Sequence, residues 1–190
     1  MKDARLRPSL LFARTFLKHP VMLGSILPSS RFLTDHVLSQ VNWREVGTAV
    51  EYGPGVGTFT GQILRRMGSS ARLVAIERSR DFANYIRGSI PDSRLSVVHG
   101  SAADVDSILA TLGLKGADCI ISGIPYSTMP LPTREIVLRR SHAVLRPGGS
   151  FIVYQFTGAV APHLREVFGD VRQEFELLNI LPARIFCCSR

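Results

Sequence analysis

From residue 48 onward, short runs rich in Val, Ile and Leu alternate with stretches in which apolar residues recur at helical spacing. The runs cover 48–52, 72–77, 95–99, 117–122 and 150–156, and helical patterns follow them over 58–67, 80–88, 104–112, 132–145 and 162–168. Strands that are apolar nearly throughout are buried on both faces. The pattern therefore predicts a doubly wound, Rossmann-like α/β domain, a parallel sheet with helices on both sides. Pro147-Gly148-Gly149 is predicted to end the fourth helix and deliver the chain into the fifth strand. The rule breaks at 173–180 and 184–189, two extended segments separated by Leu181-Pro182-Ala183. They predict an antiparallel hairpin at one side of the sheet.

The first 40 residues stand outside this alternation. Leu10, Leu11, Ala13, Phe16 and Leu17 recur at helical spacing, with Arg14 and Lys18 between them and Pro20 ending the run. This predicts an amphipathic helix with basic flanks, and a division into an N-terminal helical membrane-binding or lid segment, 1–40, and a main domain, 41–190. Such a helix either lies in a membrane interface or packs on the domain. No apolar run approaches the length of a membrane span, and Arg14 and Lys18 interrupt anything resembling a signal peptide.

The chemistry concentrates where the first strand ends. Val50-Glu51-Tyr52-Gly53-Pro54-Gly55-Val56-Gly57-Thr58 reads as a buried strand, a glycine-rich turn and a helix start, and Glu77 ends the next apolar run. Gly53, Gly55 and Gly57 let the backbone approach a ligand, and Glu77 is placed to accept ribose hydroxyls. A dinucleotide fingerprint needs a third glycine at position 58, where Thr58 stands. Glu51, just before the turn, suits a cationic amino group better than a phosphate. The spacing therefore points to S-adenosylmethionine, with S-adenosylhomocysteine as product.

The 190-residue chain has a net charge of +8, most of it from arginine, which favours anionic partners, nucleic acid or anionic lipid headgroups. The three cysteines lack C-x-x-C spacing, which fits a reducing cytoplasm, and the five histidines lack metal-ligand spacing. No metal is expected.

With the glycine turn, Pro28-Ser29-Ser30-Arg31-Phe32-Leu33, Ser122-Gly123-Ile124-Pro125-Tyr126 and Arg146-Pro147-Gly148-Gly149 in order, the chain resembles the bacterial phospholipid N-methyltransferases over nearly its whole length. These enzymes are related to the rRNA adenine dimethyltransferases. The resemblance implies a class I methyltransferase that converts phosphatidylethanolamine stepwise to phosphatidylcholine, peripherally attached to the inner face of the cell membrane, with no nucleic-acid partner. Ser30 and Arg31 are implied to lie near the cofactor, since Ser30-Arg31-Phe32-Leu33-Thr34-Asp35 is similar to a Q-N-F-L-x-D element of the rRNA enzymes.

Two departures refine the expectation. Methyltransferases acting on nucleobase amino groups show N-P-P-Y or D-P-P-Y after the fourth strand, whereas Ser122-Gly123-Ile124-Pro125-Tyr126 keeps only the proline and the aromatic residue. The rRNA enzymes also carry a helical C-terminal subdomain, and this chain stops after the hairpin. Ser122, Gly123, Ile124 and Pro125 are expected at the cofactor and acceptor, with Tyr126 turning its ring to the headgroup. Ser101 and Ala102 are expected at the adenine, with Asp104 as the alternative to Ser101. Arg31, Tyr126 and Arg184 are candidates for the lipid phosphate, Arg190 a weaker one, and Arg139-Arg140 form a solvated or membrane-facing stripe. An rRNA or DNA adenine methyltransferase and a non-catalytic S-adenosylmethionine binder are the competing readings.

Overall fold

Val50, Val74, Ile120 and Phe151 sit side by side in neighbouring strands, and all four are buried, because the sheet is covered on both faces. The computed structural model describes residues 30–179 and 181–190. Helix α1 (Arg31–Ser39) is followed by β1 (Thr48–Tyr52), α2 (Thr58–Arg66), β2 (Arg72–Glu77), α3 (Arg80–Ser89), β3 (Leu95–His99) and α4 (Val105–Thr111). Then come β4 (Ala117–Ser122), α5 (Leu131–Val144), β5 (Leu145–Gln155), α6 (Ala161–Phe168), β6 (Val171–Glu176) and β7 (Ala183–Ser189). The strand order is β3-β2-β1-β4-β5-β7-β6, with β7 antiparallel to β5 and β6 antiparallel to β7. The expected parallel sheet and terminal hairpin are both present.

Alternation along the strands divides the core in two. Val50 and Tyr52 join Val137, Leu138, Leu164 and Phe168 on the face covered by α4, α5 and α6. Ala49 and Cys119 meet Leu33, Val37, Phe59 and Ile63 on the face covered by α1 and α2. Glu51, one residue from Val50 and Tyr52, therefore points to the α1/α2 side.

Three local expectations are corrected. Strand β5 begins at Leu145 rather than near 150, pairing with Ala117 before the register shifts at Cys119–Ser150. Gly148 (φ +76°) forms the kink, held by bonds between its amide and the Arg190 carbonyl and between the Arg190 amide and the Gly149 carbonyl. Strand β6 ends at Glu176, because the Glu176 carboxylate accepts the Leu178 amide and turns the chain away. Within the segment expected to be helical, Arg31–Ser39 forms a helix whose bounds the pattern does not mark, capped by Ser30, whose hydroxyl accepts the Leu33 amide at 3.1 Å. Of the expected 1–40 segment, α1 packs into the core through Leu33, Val37 and Leu38, while the amphipathic stretch 10–18 lies outside the described residues. Among the described residues no helix is long and apolar enough to cross a membrane.

His36 fastens α1 to the edge strand. Its Nε2 lies 2.7 Å from Glu174 and its Nδ1 3.0 Å from Glu176, and Gln40 also donates to Glu174. Burial alone would lower the histidine pKa, but the bonds and charges of Glu174 and Glu176 outweigh it, and the pKa is raised. A raised folded-state value means stability that is complete below the ordinary value and lost as the pH rises through the folded one. His36→Ala is expected to cost about 1–2 kcal/mol at pH 6 and progressively less toward pH 9, read from urea unfolding at the two pH values. A pH-independent cost would show that the ring acts by packing alone.

Candidate active site

The sheet order reverses between β1 and β4, and in open α/β sheets the crevice at the carboxyl ends of such neighbours is where ligands bind. Here the two loops touch. The Gly123 amide donates to the Tyr52 carbonyl at 3.0 Å, and the Gly53 amide to the Ile76 carbonyl at 3.0 Å. Gly53, Gly55 and Gly57 all have positive φ, and a Cβ on Gly53 would stand 2.8 Å from Ile124 Cγ2. A side chain at 53 would therefore meet both a strained backbone and an occupied space.

Glu51 and Glu77 face this crevice from β1 and β2. Glu51 is 3% exposed, and the Thr60 hydroxyl donates to its Oε2 at 2.7 Å. Burial, offset in part by the Thr60 bond and reinforced by the charge of Glu77, pushes its pKa up to about 8. Glu77 accepts the Gly55 amide at 3.1 Å and the Ser79 amide at 2.8 Å, which ties the second strand to the glycine turn. Its pKa is raised by burial despite those amides. A carboxylate has about four lone-pair sites, so acceptor capacity remains for a hydroxyl donor. A buried carboxyl, a second carboxylate with spare acceptor capacity and a side-chain-free turn fit a ligand with an ammonium end and a ribose.

The other expected residues divide. Ile124 lies against Gly53, and its carbonyl accepts Gln155 Nε2 at 2.9 Å, which fixes the Gly123–Pro125 loop. The Ser101 hydroxyl accepts the Ala103 amide at the head of the short turn Ala102–Asp104, where Ala102 is buried. Exposed Asp104 faces Arg140. Tyr126 is placed otherwise than expected. It is 0% exposed within the core beneath β4, and its hydroxyl pairs with the buried Ser122 hydroxyl at 3.0 Å. After Pro125 the 3₁₀ turn Tyr126–Thr128 carries the chain back over the sheet and aims residue 126 inward. Tyr126 therefore shapes the loop from below rather than facing a headgroup, and the Ser122 side chain is committed to it.

Among the arginines, Arg31 projects from the start of α1, 87% exposed, 3.5 Å from Asp35. Arg184 lies over the Phe175 ring at 4.8 Å. Arg190 is corrected as a phosphate candidate, since its guanidinium donates to the carbonyls of Ala143 and Leu145 near the start of β5. Arg139 and Arg140 do not form a free stripe. Arg139 pairs with Glu166, and Arg140 with Asp106 and the Ala103 carbonyl.

One aromatic escaped the sequence reading. Tyr154, near the end of β5, stacks on Phe59 with ring centres 4.7 Å apart, and a Cβ on Gly123 would fall 2.1 Å from its hydroxyl. No motif marks it; only the β4–β5 register, Ser122 opposite Val153, brings it to the Gly123–Pro125 loop. A cavity of about 210 Å³ lined by Val46, Asp118 and Gly149 lies at the opposite edge, where Asp118 is engaged by Gly47, Thr48 and Arg146. Among the described residues no three His, Cys, Asp or Glu side chains converge as a metal site.

Residues 49–149 match the family model described as a methyltransferase domain. The chain is 30% identical over 180 residues to the ornithine lipid N-methyltransferase of Singulisphaera acidiphila, covering 94% of each. It is 34% identical over 101 residues to ribosomal RNA small subunit methyltransferase A of Bordetella pertussis, covering 50% of this chain and 36% of that one. The match thus spans about a third of the ribosomal RNA enzyme. Among solved structures, an O-methyltransferase from Bacillus cereus in complex with SAH superposes with a TM-score of 0.73 at 14% identity, covering 99% of this chain and 94% of that one.

Proposed function

The chain belongs to the class I S-adenosylmethionine-dependent methyltransferases, and from that premise we propose that it methylates the amine of phosphatidylethanolamine. The reaction proceeds stepwise through mono- and dimethyl forms to phosphatidylcholine, at the inner face of the cell membrane. The observation that carries the acceptor is the wall at Gly123. Tyr154 stacked on Phe59, with Ile124 beside the turn, offers aromatic and apolar surface. Residues 122–126 hold no side-chain amide or carboxylate for a nucleobase amino group. An aromatic face attracts a methylated or protonated amine. The match to a lipid N-methyltransferase along nearly the whole chain supports the same acceptor class.

S-adenosylmethionine supplies an electrophilic methyl group on its sulfonium. The chain's own residues bind and position. Glu51 receives the ammonium of the methionine end, Glu77 the ribose hydroxyls, and Ser101 and Ala102 the adenine edge. Gln155 fixes the loop that holds the acceptor nitrogen, and Tyr154 gives that nitrogen an aromatic neighbour and a phenol within reach. The amine must lose its proton before attack. No carboxylate or histidine stands in the Ser122–Tyr126 loop, and the proton leaves through water or a loop carbonyl. Arg31 and Arg184 are available for the lipid phosphate.

Labelled S-adenosylmethionine, incubated with the protein and either phosphatidylethanolamine vesicles, ornithine-lipid vesicles or ribosomal RNA, tests the acceptor. Label in phosphatidylethanolamine is expected. Label only in ornithine lipid would keep the lipid class and change the headgroup. Label in RNA would favour the second reading, for which the ribosomal RNA relative is the specific observation. Label in none would leave a non-catalytic binder.

A further inference from the structure

The turn between β6 and β7 carries leucines that the described residues leave exposed. Leu177 is 71% exposed and Leu178 65%, and Leu181 and Phe175 beside them are also exposed. Register fixes where this tip lies. Gln155, the last residue of β5, pairs with Arg184, and Glu176 pairs with Ala183, so the turn projects beyond the carboxyl end of β5. That is the edge at which Gly53, Gly123 and Tyr154 form the candidate site. The start of α1 is bonded to the same tip, the Ser30 amide to Asn179 Oδ1 at 2.9 Å and the Ser30 hydroxyl to the Leu178 carbonyl at 3.0 Å. Exposed Phe32 therefore sits two residues from it.

Cations flank the tip and its carboxylates are paired. Arg31 and Arg184 lie beside it, Asp35 is shared between Arg31 and Arg66, and Glu174 and Glu176 are turned onto His36 and Arg172. Apolar side chains at a projecting turn, with arginines behind them and the nearby carboxylates ion-paired, match an anionic bilayer, acyl chains meeting the leucines and headgroup phosphates the guanidiniums.

We propose that the β6–β7 turn, with the start of α1, is a bilayer-docking tip that sets the carboxyl edge of the sheet against the headgroups. The proposal rests on the lipid reading above and adds to it a surface separate from the stretch 10–18. Docking there brings the acceptor amine to the Gly123 loop without extracting the lipid.

The test compares the full chain with Leu177→Ser/Leu178→Ser on vesicles of phosphatidylethanolamine and phosphatidylglycerol. Both side chains are exposed and Leu178 makes its bonds to Ser30 and Glu176 through its own backbone atoms, so the fold and S-adenosylmethionine affinity are expected to be unchanged. Vesicle partitioning is expected to fall about 30-fold, and turnover on vesicles with it. Turnover on a short-chain phosphatidylethanolamine dispersed below its micelle concentration is expected to stay within twofold. Unchanged partitioning would overturn the tip. An equal loss on dispersed lipid would also overturn it, by assigning these leucines to the acceptor pocket. If the unsubstituted protein methylates neither lipid form yet its partitioning still depends on Leu177 and Leu178, the tip stands and the acceptor assignment falls.

Discussion

Glu51→Gln is expected to weaken S-adenosylmethionine binding by about 100-fold or more, the equivalent of roughly 3 kcal/mol, while leaving the cofactor-free fold as stable or more so. Glu51 sits buried beside Thr60 with its pKa pushed up to about 8, chiefly by burial. Glutamine keeps the shape and can still accept the Thr60 hydroxyl, but offers no charge to an ammonium. A carboxyl whose folded pKa exceeds its unfolded value contributes stability that is complete below about 4.5 and lost as pH rises toward 8. The slope is about 1.4 kcal/mol per pH unit. The wild-type melting temperature should therefore fall relative to the Gln variant between pH 5 and 8. At pH 7 the carboxyl is largely protonated, and pairing with a cation must expel that proton. Calorimetry in two buffers of different ionisation heat should detect up to one proton released by the wild type and none by the variant. Equal affinity in the two proteins would remove Glu51 from the cofactor site.

Gly123→Ala is expected to lower kcat/KM by about 100-fold, with S-adenosylmethionine affinity within a few-fold of wild type. A misplacement of about 1 Å at a reacting centre costs that much. The added Cβ would stand 2.1 Å from the Tyr154 hydroxyl and 2.6 Å from its Cζ. Tyr154 has little room to yield, because its ring is stacked on Phe59. The loop must shift instead, against the bonds that hold it, Gly123 amide to Tyr52 carbonyl and Gln155 to Ile124 carbonyl. A stability loss of about 1–3 kcal/mol is expected from overpacking. In a Tyr154→Ala background, Gly123→Ala should cost little further stability, since the clash disappears, but turnover should stay low, since the aromatic wall disappears too. Full turnover in the Gly123→Ala enzyme would show that the acceptor is held elsewhere.

The placement of the candidate residues within one strand-turn unit was legible because it is local. Glu51, Gly53, Gly55 and Gly57 occupy seven consecutive residues, and a buried strand leading into glycines dictates a turn whatever lies around it. Glu77 was legible for the same reason, as the polar end of an apolar run. Tyr126 was misplaced because a sequence shows that an aromatic follows a loop but not to which side the 3₁₀ turn sends it. Tyr154 and the His36 clamp were illegible for a further reason, since their partners lie 31 and about 140 residues away, Gly123 for the one and Glu174 and Glu176 for the other.

Periodicity and punctuation in the sequence were enough to determine the α/β class, the five parallel strands, the terminal hairpin and the glycine turn, because each depends on residues within a few positions of one another. Tertiary structure alone decided that the chain reverses between β1 and β4, that β7 enters beside β5, and therefore that the leucine turn and the glycine turn share one edge. Those outcomes follow from strand order and register, which long-range packing selects and no local pattern encodes.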